Sequence, residues 1–186
     1  DDGRAPPAMY GRHETDFVRM CETEEMDLVF TATPWEWHVP VCVSAMGNGK
    51  HAATEVPAAY TTDDCWRLVE YAEKHQKHCV MMENCNYDRP EMMVFHMARL
   101  GLFGDILHAE CGYLHDLREI KFSETGEGLW RRAHSMVRNG NLYPTHGLGP
   151  VANVMDINRG DQFEYLVSMS SPSQGLQEWA VASYPE

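Results

Sequence analysis

Short apolar runs alternate with longer segments of helical period through the first half of the chain. Leu28 to Thr33 (LVFTAT) is an apolar, β-favouring run closed by Pro34, and it predicts a strand. From Trp37 to Gly47 apolar positions recur at helical spacing until Gly49 stops them, which predicts a helix. His51 to Val56 (HAATEV) predicts a second strand. Thr62 or Asp63 suits the cap of a helix reaching Lys74, with Trp66, Leu68, Val69 and Ala72 on its buried side. Cys79 to Glu83 (CVMME) predicts a third strand. Strands alternating with helices at this pitch imply a parallel sheet covered on both faces, the doubly wound α/β class.

After Asn84 the pattern changes. Arg89 to Leu100 is amphipathic and closes at Gly101, Ile106 to Tyr113 (ILHAECGY) predicts a long strand, and Glu124 to Gly128 (ETGEG) predicts a loop. A helix is expected over Leu148 to Asn158 and a strand over Phe163 to Met169 (FEYLVSM). This half reads as α+β, which places a boundary near residue 84 and divides the chain into 1–84 and 85–186. The first half has only about three strands, fewer than a dinucleotide-binding sheet uses, and no G-x-G-x-x-G. The last strand has no partner, so both ends read as cuts through a longer pair of domains.

Charge narrows the partners. The 186 residues carry 28 acidic and 15 basic side chains with no Lys/Arg cluster, so neither nucleic acid nor an anionic membrane surface is expected as a partner. No apolar run approaches the ~20 residues a bilayer requires. The six cysteines (Cys21, Cys42, Cys65, Cys79, Cys85, Cys111) never form a CxxC pair. They are expected to be buried thiols, with neither a disulfide framework nor a metal site.

In a doubly wound sheet, ligands bind beyond the carboxyl ends of the strands, so the chemistry should follow each strand directly. Three places qualify: PWEWH (Pro34 to His38), EVP (Glu55 to Pro57) and ENCNY (Glu83 to Tyr87). Singly, Trp35 and Trp37 read as core, Glu55 as a solvated carboxylate and Asn84 as a turn cap. Three in succession at the topologically correct position read instead as a crevice. In the second half Tyr113 and HDLR (His115 to Arg118) follow a predicted strand. In YPTHGLGP (Tyr143 to Pro150) the backbone is restrained at Pro144 and Pro150 and freed at Gly147 and Gly149. That presents His146 from a fixed loop ahead of a helix, either for proton transfer or as a helix cap bonded to the main chain; the residues alone leave both open.

Together these pieces resemble the Gfo/Idh/MocA oxidoreductases, whose Rossmann half ends a strand in an EKP-like tripeptide and whose α+β half supplies a catalytic histidine. Here EVP stands in place of EKP, so Val56 replaces the lysine that assists hydride transfer in the common dehydrogenases. WEWHVP, EVPAA, ENCNY, GLFGDILHAECGYLHDLR, LYPTHGLGP and NRGD…LVSMSS, running from about Leu28 to Ser171, resemble a narrower group: glycoside hydrolase family 109, the NAD-dependent α-N-acetylgalactosaminidases.

The resemblance implies a partial Rossmann-type parallel sheet followed by a partial α+β C-terminal domain, with NAD as cofactor and a glycan bearing terminal N-acetylgalactosamine as substrate. Trp35, Glu36, Trp37, His38, Glu55, Val56 and Asn84 would contact NAD. Tyr113, Arg131, Tyr143, Pro144, Thr145 and His146 would contact the sugar, with Arg132 the weaker alternative to Arg131. His146, Tyr143, Tyr113 and Glu55 would share the proton handling. The rival readings are a sugar dehydrogenase of the broader family and an inactive remnant that binds NAD weakly for want of the glycine turn. A sheet edge left by a missing first βαβ unit would favour self-association, as a homo-oligomer, or instability. Family members often carry a twin-arginine export signal, which would lie upstream of Asp1, and this leaves the compartment open.

Overall fold

The structure, a computed structural model, describes residues 6–126 and 128–184. It divides into two compact units, Asp1–Met82 and Glu83–Glu186.

The first unit runs α1 (Asp16–Thr23), β1 (Leu28–Thr31), α2 (Trp35–Gly47), β2 (His51–Thr54), α3 (Thr62–His75) and β3 (Cys79–Met81). The three strands are parallel in the order β1-β2-β3, with Val29, Ala52 and Cys79 in one row and Phe30, Ala53 and Val80 in the next. Both crossovers step the same way across the sheet, and right-handed connections then put α2 and α3 on one face. Val29 and Ala52 are buried with α2 on that face, whereas Leu28, Phe30 and Val80 are exposed on the other. The expectation of cover on both faces is corrected accordingly for the described residues of this unit.

Helix α2 is apolar on nearly every side and is buried to match: Val39, Val41, Cys42, Val43, Ala45 and Met46 all lie in the core. Sheet, α1 and α3 surround it. Helix α1 has no counterpart in the sequence reading; it seals the core with Cys21, Phe17 and Met20. The cap of α3 is Thr61 and not the expected Thr62 or Asp63, which are already helical: the Thr61 hydroxyl accepts the Asp64 N–H at 3.2 Å. Leu68, Tyr71 and Ala72 form its inward stripe at i, i+3 and i+4. Trp66 and Val69 fall off that stripe and are 63% and 46% exposed, against the expected burial.

The second unit opens on a 3-10 turn, Asn84–Tyr87, followed by α4 (Arg89–Arg99), α5 (Arg118–Lys121), α6 (Gly128–Val137), α7 (Thr145–Val154) and α8 (Gly175–Ser183). The strands expected at Ile106 to Tyr113 and Phe163 to Met169 do not form. A strand exists only through a ladder partner, and among the described residues of this unit the one bridge is Ile157–Asp161. Tyr165, Leu166, Val167 and Met169 are exposed instead. The helix expected from Leu148 starts earlier, at Thr145, so Gly147, Gly149 and Pro150 are all helical.

Candidate active site

In the second unit, Glu83 precedes the 3-10 turn and caps it, its Oε1 accepting the Cys85 N–H at 3.1 Å. Helix α7 packs on this turn and on α4. The close approach depends on Gly149, where a Cβ would lie 2.8 Å from Glu83 Cγ and 3.0 Å from Asn86 Oδ1. Gly147 lets α7 pass Cys111 in the same way, since a Cβ there would lie 3.1 Å from the Cys111 Sγ. These glycines serve contact rather than backbone freedom, because neither has a positive φ. His146 accordingly sits in the first turn of α7, not on a loop ahead of it.

The packing sets His146 Nδ1 2.7 Å from Glu83 Oε1, with the imidazole 11% and the carboxyl 3% exposed. A carboxylate only accepts, so Nδ1 carries the proton, and in the neutral ring the lone pair lies on Nε2. Two phenols flank the imidazole. Tyr143 stacks on it at 5.3 Å between ring centroids and 5° between planes, and Tyr113 lies at 4.6 Å and 57°. Arg131 donates to the Tyr143 hydroxyl, and the Tyr113 hydroxyl meets His115 Nδ1 at 2.6 Å. Burial pushes the Tyr113 phenol above its ordinary value, and Cys85 and Tyr143 add to the shift. A cavity of about 640 Å³ between α4, residues 103–112 and α7 is lined in part by His146, Gly147 and Cys111.

In the first unit the carboxyl ends of β1 and β2 carry the other expected residues. Trp35 and Val56 are buried, Trp37 and Glu55 are half-buried, and Glu36 is exposed. Glu55 N–H donates to Thr31 O at 2.9 Å, and the Glu55 side chain makes no hydrogen bond or ion pair among the described residues. His38 is 1% exposed and bridges the two strand ends, with Nδ1 2.7 Å from Pro57 O and Nε2 2.9 Å from Thr33 O. Both ring nitrogens are therefore occupied by main-chain carbonyls, and this imidazole ties loops together. Asn84 lies in the second unit, in the 3-10 turn.

Residues 87–186 match the family described as glycosyl hydrolase 109, C-terminal domain. That match covers more than half of the chain. The chain belongs to glycosyl hydrolase family 109. Residues 9–83 match the oxidoreductase family with an NAD-binding Rossmann fold. A glycosyl hydrolase family 109 protein of Solibacter usitatus is 52% identical over 180 residues, which are 97% of this chain and 41% of the relative. A Shewanella oneidensis protein named alpha-N-acetylgalactosaminidase is 48% identical over 183 residues, 98% of this chain and 40% of that one. The chain thus spans about two fifths of the length of these curated relatives. Among solved structures, a myo-inositol 2-dehydrogenase from Lactobacillus plantarum aligns over 52% of this chain and 28% of its own at 19% identity, with a TM-score of 0.45.

Within this family 109 chain, four expected sugar-site residues come together: Tyr113, Arg131, Tyr143 and His146. Arg132 lines a different cavity, with Lys121 and Arg138. Pro144 is the exposed residue before α7, and Thr145 opens the helix with its hydroxyl buried and unpartnered. Glu83 is the residue that the sequence reading passed over. It stood first in ENCNY, at a strand end, but nothing in the order of residues pairs it with a histidine 63 positions away. The cysteines divide as well. Cys21 and Cys42 are buried as expected, while Cys65 and Cys111 are exposed.

Proposed function

We propose that this chain is the core of an NAD-dependent α-N-acetylgalactosaminidase that releases terminal α-linked N-acetylgalactosamine by oxidation, elimination, addition and reduction. Residues 1–84 would face the cofactor and residues 85–186 the sugar. Glycosidases ordinarily place two carboxylates across the scissile bond, and NAD-dependent families depart from that rule. Bound NAD⁺ supplies a hydride acceptor for C3 of the sugar and is regenerated when the hydride returns.

The residues present fit the nicotinamide end of that cofactor: Glu55 offers a part-exposed, unpartnered carboxylate beyond β2, beside the WEWH segment that opens α2. The chain contains no G-x-G-x-x-G for the pyrophosphate.

The observation that carries the reading is the pairing of His146 with buried Glu83. With Nδ1–H directed to Glu83, the Nε2 lone pair takes the C3 hydroxyl proton as the hydride departs, and later returns it. The C3 ketone acidifies the neighbouring C2–H, whose removal expels the C1 substituent, and water then adds at C1. Tyr113, kept protonated by burial, donates to the developing oxyanion. Tyr143, its oxygen held by Arg131, is the group positioned for the C2 proton.

Turnover in D₂O by a full-length protein containing this chain tests the route. Deuterium at C2 of the released sugar, with no net NADH, is expected. Product without that label means direct hydrolysis, and NADH accumulating on free sugar means a dehydrogenase.

A further inference from the structure

Beside its part in the proposed reaction, the Glu83–His146 pair has a third neighbour, Cys85, two residues on from Glu83 and inside the 3-10 segment that Glu83 caps. One ligand atom each from Glu83, Cys85 and His146 lies within 4.8 Å of the others. The side chains differ in chemistry: a carboxylate oxygen, a thiol sulfur and an imidazole nitrogen. Glu83 is 3% exposed, and its Oε2 is buried with no hydrogen-bond partner, although Oε1 is engaged by both His146 and the Cys85 N–H. An orphaned oxygen on a buried carboxylate is expensive unless something positive meets it.

We propose that Glu83, Cys85 and His146 bind one thiophilic divalent cation, with Zn²⁺ the best match, and that the bound ion withdraws His146 from proton transfer.

The donor set argues against the common hard cations. Mg²⁺ and Ca²⁺ take oxygen ligands almost alone, whereas mixed N, S and O coordination is the habit of Zn²⁺. Tetrahedral Zn²⁺ holds its donors roughly 3.3–3.8 Å apart, so the widest pair here closes by about 1 Å of side-chain movement. The framework for that closure exists already, because α7 is pressed onto the 3-10 turn at Gly149 and Cys85 is anchored through its own N–H. Three protein ligands leave a fourth position for water. Binding releases the thiol proton to solvent, as thiolate ligation requires, and the Nδ1 proton passes to Nε2 when Nδ1 takes the metal, which removes the lone pair that the proposed reaction uses. None of these ligands is needed by the apolar core, which lies wholly in the first unit, so the ion acts on the site and not on that core.

Binding stands on the geometry alone; only the loss of activity rests on the proposed reaction. Equilibrium dialysis of the chain with Zn²⁺ is expected to give one bound ion, and Co²⁺ in its place to give thiolate-to-metal absorption. Cys85→Ser should abolish that absorption and weaken Zn²⁺ binding at least about 10-fold. Glu83→Gln should weaken Zn²⁺ binding too, and Cys65→Ser, at an exposed thiol elsewhere, should change nothing. A wild-type chain that does not bind Zn²⁺, or Cys85→Ser and Glu83→Gln chains that bind it as tightly as wild type, overturns the site. In the full-length protein, turnover undiminished with Zn²⁺ bound overturns the inhibitory role, while a missing C2 label overturns the reaction and leaves the metal result standing.

Discussion

At the scale of single residues, the site depends on which nitrogen of His146 is free. Glu83 decides this: a buried carboxylate 2.7 Å from Nδ1 selects the neutral tautomer with Nε2 unprotonated, which is the form the proposed reaction needs. In a full-length protein containing this chain, His146→Ala should lower kcat by about 10²-fold or more, the range supplied by a positioned acid–base group, with NAD affinity unchanged. Glu83→Gln keeps the volume but supplies an amide that can direct the ring either way. It should lower kcat with little effect on KM and move the pH profile of kcat, a change that a merely structural carboxyl would not produce. Cofactor binding lost together with turnover in His146→Ala, or an unmoved pH profile in Glu83→Gln, contradicts these roles. His38 shows the opposite outcome for the same side chain. With a main-chain carbonyl at each ring nitrogen, it holds the strand ends in place.

At the scale of elements, the contact between α7 and the 3-10 turn carries the site, and Gly149 permits it. Alanine in place of a helical glycine ordinarily stabilises by about 0.8–1 kcal/mol. Here the new Cβ would fall 2.8 Å from Glu83 Cγ, and Glu83 is buried and bonded on two sides. Overpacking of that kind costs about 1–3 kcal/mol, which exceeds the helical gain. Thermal unfolding of Gly149→Ala should therefore show a net loss, whereas Gly140→Ala, whose Cβ would meet only Ser170 Oγ at 3.6 Å, should stay near wild type. A Gly149→Ala chain as stable as wild type would mean that α7 does not rest on Glu83.

The same element marks where periodicity stops being informative. The segment 145–147 looks like a loop by composition, yet it forms the first turn of the helix expected only from Leu148, because packing against Cys111 rewards a small residue at Gly147. FEYLVSM has strand composition and forms no strand, since among the described residues no second strand pairs with it.

For the molecule as a whole, the balance of covered and uncovered apolar surface matters most. Leu28, Phe30 and Val80 line one face of the sheet, and Leu107, Leu114, Leu166 and Met169 are exposed elsewhere. The uncovered sheet face, with three apolar side chains on β1 and β3, is the kind of surface that self-association would cover. Light scattering on the isolated chain should give a mass above the 21.2 kDa of one copy, and Phe30→Lys should reduce it. A monodisperse monomer at high concentration would refute this.

Much of the first unit was legible in the order of its residues. Alternating strand and helix patterns, with Pro34 and Gly49 as stops, are local signals, and local signals are what a sequence records directly; the cap of α3 falls one or two residues earlier than expected, on Thr61 instead of Thr62 or Asp63. The WEWH, EVP, ENCNY and YPTHGLGP motifs likewise carried the family. What only the tertiary structure decided are the matters that depend on two distant segments meeting. These are the face of the sheet on which both crossovers land, the failure of two strand-like segments to pair, and the pairing of Glu83 with His146. Each is settled by packing and handedness, which act through space and leave no mark at a single position in the chain.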